Sequence, residues 1–178
     1  MLGRPLRSDE TRLTSRLRLE PIGPEHADDL LRLYQDPAVA EWYGSWTRAG
    51  IEAEAERMAQ HWRVDGVHKW MAYDRGTSEV IGRGGLSRQR VDGVDRLEVG
   101  WVLHRRFWGM GYATEIGQAG LDMAFGELGA DEVVAFTEVR NRRSRAVMER
   151  LGFDYRKDFA IDGELYALYV IVAAYPSR

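Results

Sequence analysis

The stretch Leu103-His-Arg-Arg-Phe-Trp-Gly-Met-Gly-Tyr-Ala-Thr-Glu115 holds the residues with the clearest chemical use. A strand-like run ends at Leu103, two glycines fill the connection, and a helical period opens near Tyr112. The first N–H groups of a helix have no acceptor inside it, and the helix dipole favours negative charge at that end. Glycine carries no Cβ to hold an anion off the main chain. The dipole alone is worth about 0.3–1 kcal/mol, whereas each N–H bond to a charged oxygen contributes about 1.5–3 kcal/mol. Several such bonds outweigh the dipole, so the stretch reads as a seat for an anion. The other reading is that Gly109 and Gly111 only make a tight strand-to-helix turn. A dinucleotide-binding loop does not fit, because Thr114 stands where the third small residue is needed. In addition, Asp131 and Glu132 precede the next strand instead of ending it. A Walker loop is excluded, since no Gly-Lys-Ser/Thr follows.

Other reactive residue types are scarce or scattered. The chain has no cysteine, which removes disulfides, thiolate nucleophiles and Cys-based zinc sites. His26, His61, His68 and His104 form no HxxxH pair and no triad-like set, so no metal is expected. Arg105, Arg106, Arg140, Arg142, Arg143 and Arg145 gather around the glycine loop and a second block near Asn141. Arginine suits phosphate recognition; the plain alternative is a solvated surface. Bulk charge adds nothing, since 25 basic and 28 acidic side chains leave −3, and no nucleic-acid partner is expected.

These residues need a scaffold. At 178 residues, 44% hydrophobic and 30% charged, the chain fits one globular domain. Residues 1–12 are polar, lack an apolar stretch for a signal peptide, and are expected to be a flexible arm. Residues 13–178 form the expected domain, with a cytoplasmic address and no run long enough to span a bilayer. Arg16–Glu20 alternates as a strand, and Pro21-Ile-Gly-Pro24 stops it. Ala27, Leu30, Leu31 and Tyr34 mark a helix that Asp36-Pro37 ends. Thr47 caps a second, with the stripe Ile51, Ala55, Met58, Ala59, Trp62. Strands follow at Lys69–Tyr73, Val80–Leu86 and Arg96–Leu103, the last two joined through Asp92-Gly93. A helix from Ala113 closes at Gly129, and Val133–Val139 is a buried strand. A short helix stops at Gly152, and strands Phe153–Arg156 and Leu165–Val172 finish the chain. The order is mixed α/β, with antiparallel hairpins and one parallel crossover. Tyr166–Val172 is apolar enough for a homodimer contact or for the core.

Trp108-Gly-Met-Gly-Tyr-Ala113 resembles the acetyl-CoA pyrophosphate loop of the GNAT superfamily of N-acetyltransferases, Gln/Arg-x-x-Gly-x-Gly/Ala; Arg106-x-x-Gly109-x-Gly111 also fits the pattern, but position in the whole segment favours the Trp108 frame. Tryptophan at the first position is similar to the RimJ/RimL-like branch. So is the whole of Glu98–Glu115, together with Asn141-Arg-Arg-Ser144 and Val147-Met-Glu-Arg-Leu-Gly-Phe153. The resemblance runs from about Ser15 to Val172. It implies a mostly antiparallel twisted sheet of about seven strands, with the fourth and fifth splayed, flanked by about four helices. It implies acetyl-CoA as donor, a primary amine as acceptor (a protein N-terminus or a small molecule), and direct attack in a ternary complex. An acyl-cysteine route is impossible without cysteine.

The resemblance also distributes roles. Backbone groups of Met110, Gly111, Tyr112, Ala113 and Thr114 would grip the pyrophosphate, Trp108 and Gly109 would bind the cofactor beside them, and backbone around Leu103 would pair with the pantetheine arm like an added strand. Asn141 and Ser144 would touch the cofactor, unless Asn141 is only a helix cap. Glu98, between Leu97 and Val99, is the expected base, acting directly or through water. Its alternative is a cross-strand partner for Arg83 or Arg88. Many members carry an acidic tyrosine where this chain has Met148. Ser144 or Tyr112 then protonates the thiolate, or no side chain does. The same departure keeps open a catalytically silent acyl-CoA-binding sensor. Glu41-Trp-Tyr-Gly-Ser-Trp46 would border the acceptor pocket, with Trp42, Tyr43 and Trp46 as an aromatic wall or as core.

Overall fold

Leu17 and Leu19 are fully buried, while Arg18 and Glu20 pair with each other at 2.7 Å on the opposite face of the same strand. That period-two pattern recurs through the sheet of the computed structural model, which describes residues 11–174. The strands are β1 (Arg12–Leu13), β2 (Leu17–Pro21), β3 (Lys69–Asp74), β4 (Val80–Val91), β5 (Val94–Leu103), β6 (Glu132–Glu138), β7 (Asp154–Ile161) and β8 (Glu164–Val172). They form one sheet in the order β1-β2-β3-β4-β5-β6-β8-β7. The helices are α1 (Ala27–Gln35), α2 (Pro37–Tyr43), α3 (Arg48–Asp65), α4 (Tyr112–Asp122) and α5 (Arg142–Arg150).

Each face of the sheet buries its own cluster. Trp70, Ala72, Ile81, Val99 and Leu103 pack with Ile116, Leu121 and Met148 of α4 and α5. Met71, Tyr73 and Val102 pack with Leu30, Leu33, Ile51 and Met58 of α1 and α3. Thr47 caps α3 as expected, its hydroxyl accepting from the Gly50 N–H at 3.1 Å.

Every neighbouring pair is antiparallel except β5 and β6. β4 and β5 stay in register from Gly82↔Leu103 to Val91↔Val94. β5 and β6 meet only at Glu98↔Val134. Beyond that pair the strands share no ladder, which is the expected splay.

The structure departs from the sequence reading or narrows it in three places. The sheet has eight strands, because Arg12–Leu13 adds an edge strand. The remainder of the expected arm, residues 1–10, lies outside the described residues. Among the described residues the α-helices number five, because Asp36-Pro37 ends α1 and also starts α2. Asp36 caps α2 by accepting from the Ala38 N–H at 3.1 Å, and Pro37 sits in its first turn, where a missing N–H costs nothing. β8 lies inside the sheet between β6 and β7, so the apolarity of Ala167–Val170 belongs to the core. No helix among the described residues is long and apolar enough to cross a membrane.

Candidate functional site

Where β5 and β6 part, a cleft of about 1620 Å³ opens. Its lining runs from the connection between β5 and α4 to the sheet face that carries Glu98.

The connection is shaped as its glycines require. Gly109 and Gly111 sit at φ 77° and 82°, and Gly111 is the N-terminal cap of α4 with no side-chain bond of its own. The next intrahelical donor is Glu115, bonding the Gly111 carbonyl at 3.1 Å. No acceptor among the described residues takes the amides of Gly109 to Thr114. An added Cβ at Gly109 would meet nothing within 4 Å. Unpartnered amides at a glycine-lined helix start fit a pyrophosphate.

Long-range contacts hold that loop in place. The Trp108 indole donates to the Leu103 carbonyl at 3.0 Å, pinning the loop to the end of β5. The Arg16 guanidinium donates to the Met110 carbonyl and to Glu115, both at 2.8 Å, and lies 4.2 Å over the Tyr112 ring. Burial pushes the Glu115 carboxyl up, but the Thr14 hydroxyl and the Arg16 donors outweigh it and leave it below the usual range. Tyr112 donates to Asp74 at 3.1 Å. Nothing in the sequence marked Arg16 for this position.

The expected arginine cluster divides. Arg140, Arg142 and Arg143 line the cleft, with Arg143 4.9 Å over the Trp108 ring. Arg145 turns away to the Tyr169 hydroxyl and the Val139 carbonyl, each at 3.0 Å. Arg106 pairs with Glu79 at 3.2 Å, and Arg140 with Glu138 at 2.7 Å. The Arg105 amide donates to Asp36 at 2.9 Å, tying α2 to this loop.

Glu98 sits on β5 with its side chain 8% exposed. Its partner is neither Arg83 nor Arg88 but Lys69, whose Nζ lies 2.6 Å from Oε2 and also donates to the Gly85 carbonyl at 2.8 Å. The Ser87 hydroxyl, directly across the ladder, donates to the same Oε2 at 3.0 Å. Oε1 has no partner among the described residues. It lies over Gly100, where an added Cβ would come within 2.5 Å of it. Burial pushes the Lys69 ammonium down, and the Glu98 charge acts against that.

His68 lines the same cleft, 6% exposed and stacked on His61 at 5.1 Å. Burial, reinforced by the Lys69 charge, pushes its imidazole down to about 3. The folded state thus holds the neutral ring, while the unfolded chain binds a proton below about 6.5. Stability from this group is complete above that pH and is lost as pH falls toward 3, at about 1.4 kcal/mol per unit. Unfolding free energy is expected to drop by about 2 kcal/mol between pH 6.5 and 5 on this account, and His68→Phe to flatten the drop. Equal slopes in denaturant titrations of the two proteins would refute this.

Asn141 caps α5, its Oδ1 accepting from the Ser144 N–H at 3.1 Å, and both residues line the cleft. Met148 is 3% exposed and part of the core. Trp42 and Tyr43 line the cleft. Trp46 instead packs on Tyr34 at 5.3 Å, and Glu41 pairs with Arg140 at 3.6 Å, so the expected aromatic wall keeps only its first two members. Among the described residues no three His, Asp or Glu side chains are grouped to hold a metal.

Comparison with known proteins agrees with this geometry. The sequence pattern of the Acetyltransferase (GNAT) domain matches residues 16–154. The chain is 30% identical to the uncharacterized protein YkkB of Bacillus subtilis, over 82% of this chain and 86% of that one. It is 31% identical to the FsC-acetyl coenzyme A-N(2)-transacetylase of Aspergillus fumigatus, over 86% and 69% respectively. A putative GnaT-family acetyltransferase from Bordetella pertussis superposes with a TM-score of 0.78 at 24% identity, covering 90% of this chain and 98% of that one. The chain belongs to the GNAT acetyltransferase family, whose members are acetyl-CoA-dependent N-acetyltransferases.

Proposed function

We propose that the protein transfers the acetyl group of acetyl-CoA to a primary amine, on a small molecule or a protein N-terminus, by direct attack in a ternary complex. The carrying observation is that Gly109 and residues 111–114, whose amides are unpartnered among the described residues, line one cleft with Glu98, whose Oε1 is free. The relative from Aspergillus, named for acetyl coenzyme A and a nitrogen acceptor, supports the donor and the acceptor class. The RimJ/RimL-like branch is supported by Trp108 and by the Glu98–Glu115 segment.

In this reading the loop amides bind the diphosphate and the parted edges of β5 and β6 receive the pantetheine arm. Glu98 Oε1 takes a proton from the acceptor ammonium, directly or through one water. The freed nitrogen forms a bond to the thioester carbon as the C–S bond breaks. An N–H near Leu103 stabilises the oxyanion, as the family pattern implies. The nitrogen gives up its second proton as the amide forms, and the departing thiolate takes one proton, either from solvent or from Ser144, whose hydroxyl the nitrogen's proton then restores. Tyr112 is less suited, because its hydroxyl is committed to Asp74. Asn141 and Ser144 face the cofactor from the first turn of α5.

The direct test is CoA release with a panel of primary amines, reading wild type beside Glu98→Gln. Cofactor binding without turnover of any amine would overturn the reading. The loop gives a second expected result. Gly111→Ala forces a side chain into φ 82°, at a cost of about 1–2 kcal/mol, and brings a methyl to 3.4 Å from Arg16 Nη2. CoA affinity measured by calorimetry should fall about tenfold. Equal affinity would remove this loop from the binding site.

A further inference from the structure

We infer that the acceptor carries a carboxylate beside its amine, and that Arg83 binds it. This deepens the acetyl-transfer reading and rests on it for the reaction, though not for the binding.

Arg83 lies on β4, on the sheet face that carries Lys69 and Glu98, and lines the cleft. Its Nε donates to the Tyr34 hydroxyl at 2.7 Å. Its guanidinium carbon is 5.5 Å from the Tyr34 ring and 5.7 Å from the Tyr43 ring. The two rings and the hydroxyl fix the fork, and both terminal nitrogens lack an acceptor among the described residues.

No carboxylate among the described residues lies within 4 Å of this cation, although carboxylates are near. Each of those is engaged elsewhere. Glu54 holds Arg57 through contacts of 2.8 and 2.5 Å. Glu98 holds Lys69 at 2.6 Å. The acceptor face therefore carries two neutralised ion pairs, with Glu98 Oε1 left open to one ammonium, and one open guanidinium. A polycation meets a like charge at Arg83 once its first amine is at Oε1, while a carboxylate meets a preorganised, two-pronged donor.

The spacing is suitable. Gly85, level with Lys69, and Arg83 are two residues apart on β4, or about 7 Å along the strand. The Glu98 carboxylate reaches back over Gly100, which is also level with Gly85. An amine at Oε1 and a carboxylate at Arg83 thus suit one small amino acid-like molecule. A protein N-terminus offers no carboxylate at a fixed place.

The test uses amino carboxylates of two to six carbons, their amides, and spermidine as the opposite charge. Wild type should favour an amino carboxylate over its amide by about 10–100-fold in kcat/KM, as expected for hydrogen bonds to a charged group. Arg83→Gln should raise KM for the carboxylate by the same factor, leave the amide unaffected, and keep CoA affinity. Arg83→Lys should recover part of the loss. Equal use of amide and carboxylate, preference for spermidine, or an equal loss for all acceptors in Arg83→Gln would overturn the proposal. If no amine is turned over, the transferase reading fails and binding still decides this one. The CoA complex of wild type should then melt higher with the amino carboxylate present, and that of Arg83→Gln should not. No gain in wild type sinks the proposal.

Discussion

Glu98→Gln is expected to lower kcat by about 10²–10⁴-fold, the usual worth of a positioned base. Glutamine keeps the shape and can still accept from Lys69 and Ser87, but it takes no proton from an ammonium. CoA affinity should not change, since the carboxylate lies on the sheet face and the diphosphate seat lies in the loop before α4. Stability falls as well, because Lys69 loses its counter-charge. That fall is limited, because glutamine still accepts from the Lys69 ammonium, which burial pushes down. The rate must therefore be read beside a CoA titration showing the variant folded. A variant with wild-type kcat would remove Glu98 from the reaction and leave Lys69–Glu98 as a structural pair.

The sequence made the loop legible because its chemistry is local. Two glycines between a strand and a helix determine where the amides point, and the positive φ values follow from that. The partner of Glu98 was not legible. The ladder sets Ser87 opposite Glu98, so Arg83 and Arg88 lie at other registers. Lys69 arrives from β3, one strand further, over the gap that Gly100 leaves. Its only trace in the sequence is a lysine opening an otherwise apolar run. Arg16 left no trace, since its bond to Met110 joins residues 94 apart along the chain. Asp36-Pro37 was half legible: stop and start signals coincide there, and only packing shows that both act. Trp42 and Tyr43 were separable from Trp46 only once the end of α2 was known.

Lys69→Met should cost about 3–5 kcal/mol, the usual result of stranding one member of a buried pair. The Glu98 carboxylate would remain 8% exposed with the Ser87 hydroxyl as its single donor. For a chain of this size the loss corresponds to roughly 6–20 °C in melting temperature. The double variant Lys69→Met, Glu98→Leu should recover most of it, because an apolar pair of similar volume replaces charges that are costly to desolvate. A double-mutant cycle on the four proteins then gives a large coupling energy. If the double variant melts near wild type and is inactive, the sheet does not need these charges to fold. Their placement is then explained by chemistry: Lys69 and Ser87 both bind Oε2, which fixes the carboxylate and leaves Oε1 open to the cleft. If Lys69→Met alone melts like wild type, the pair is solvated and cannot hold Glu98 in this way. If the double variant is as unstable as the single one, the pair belongs to the fold, and the case for Glu98 as base loses its structural support.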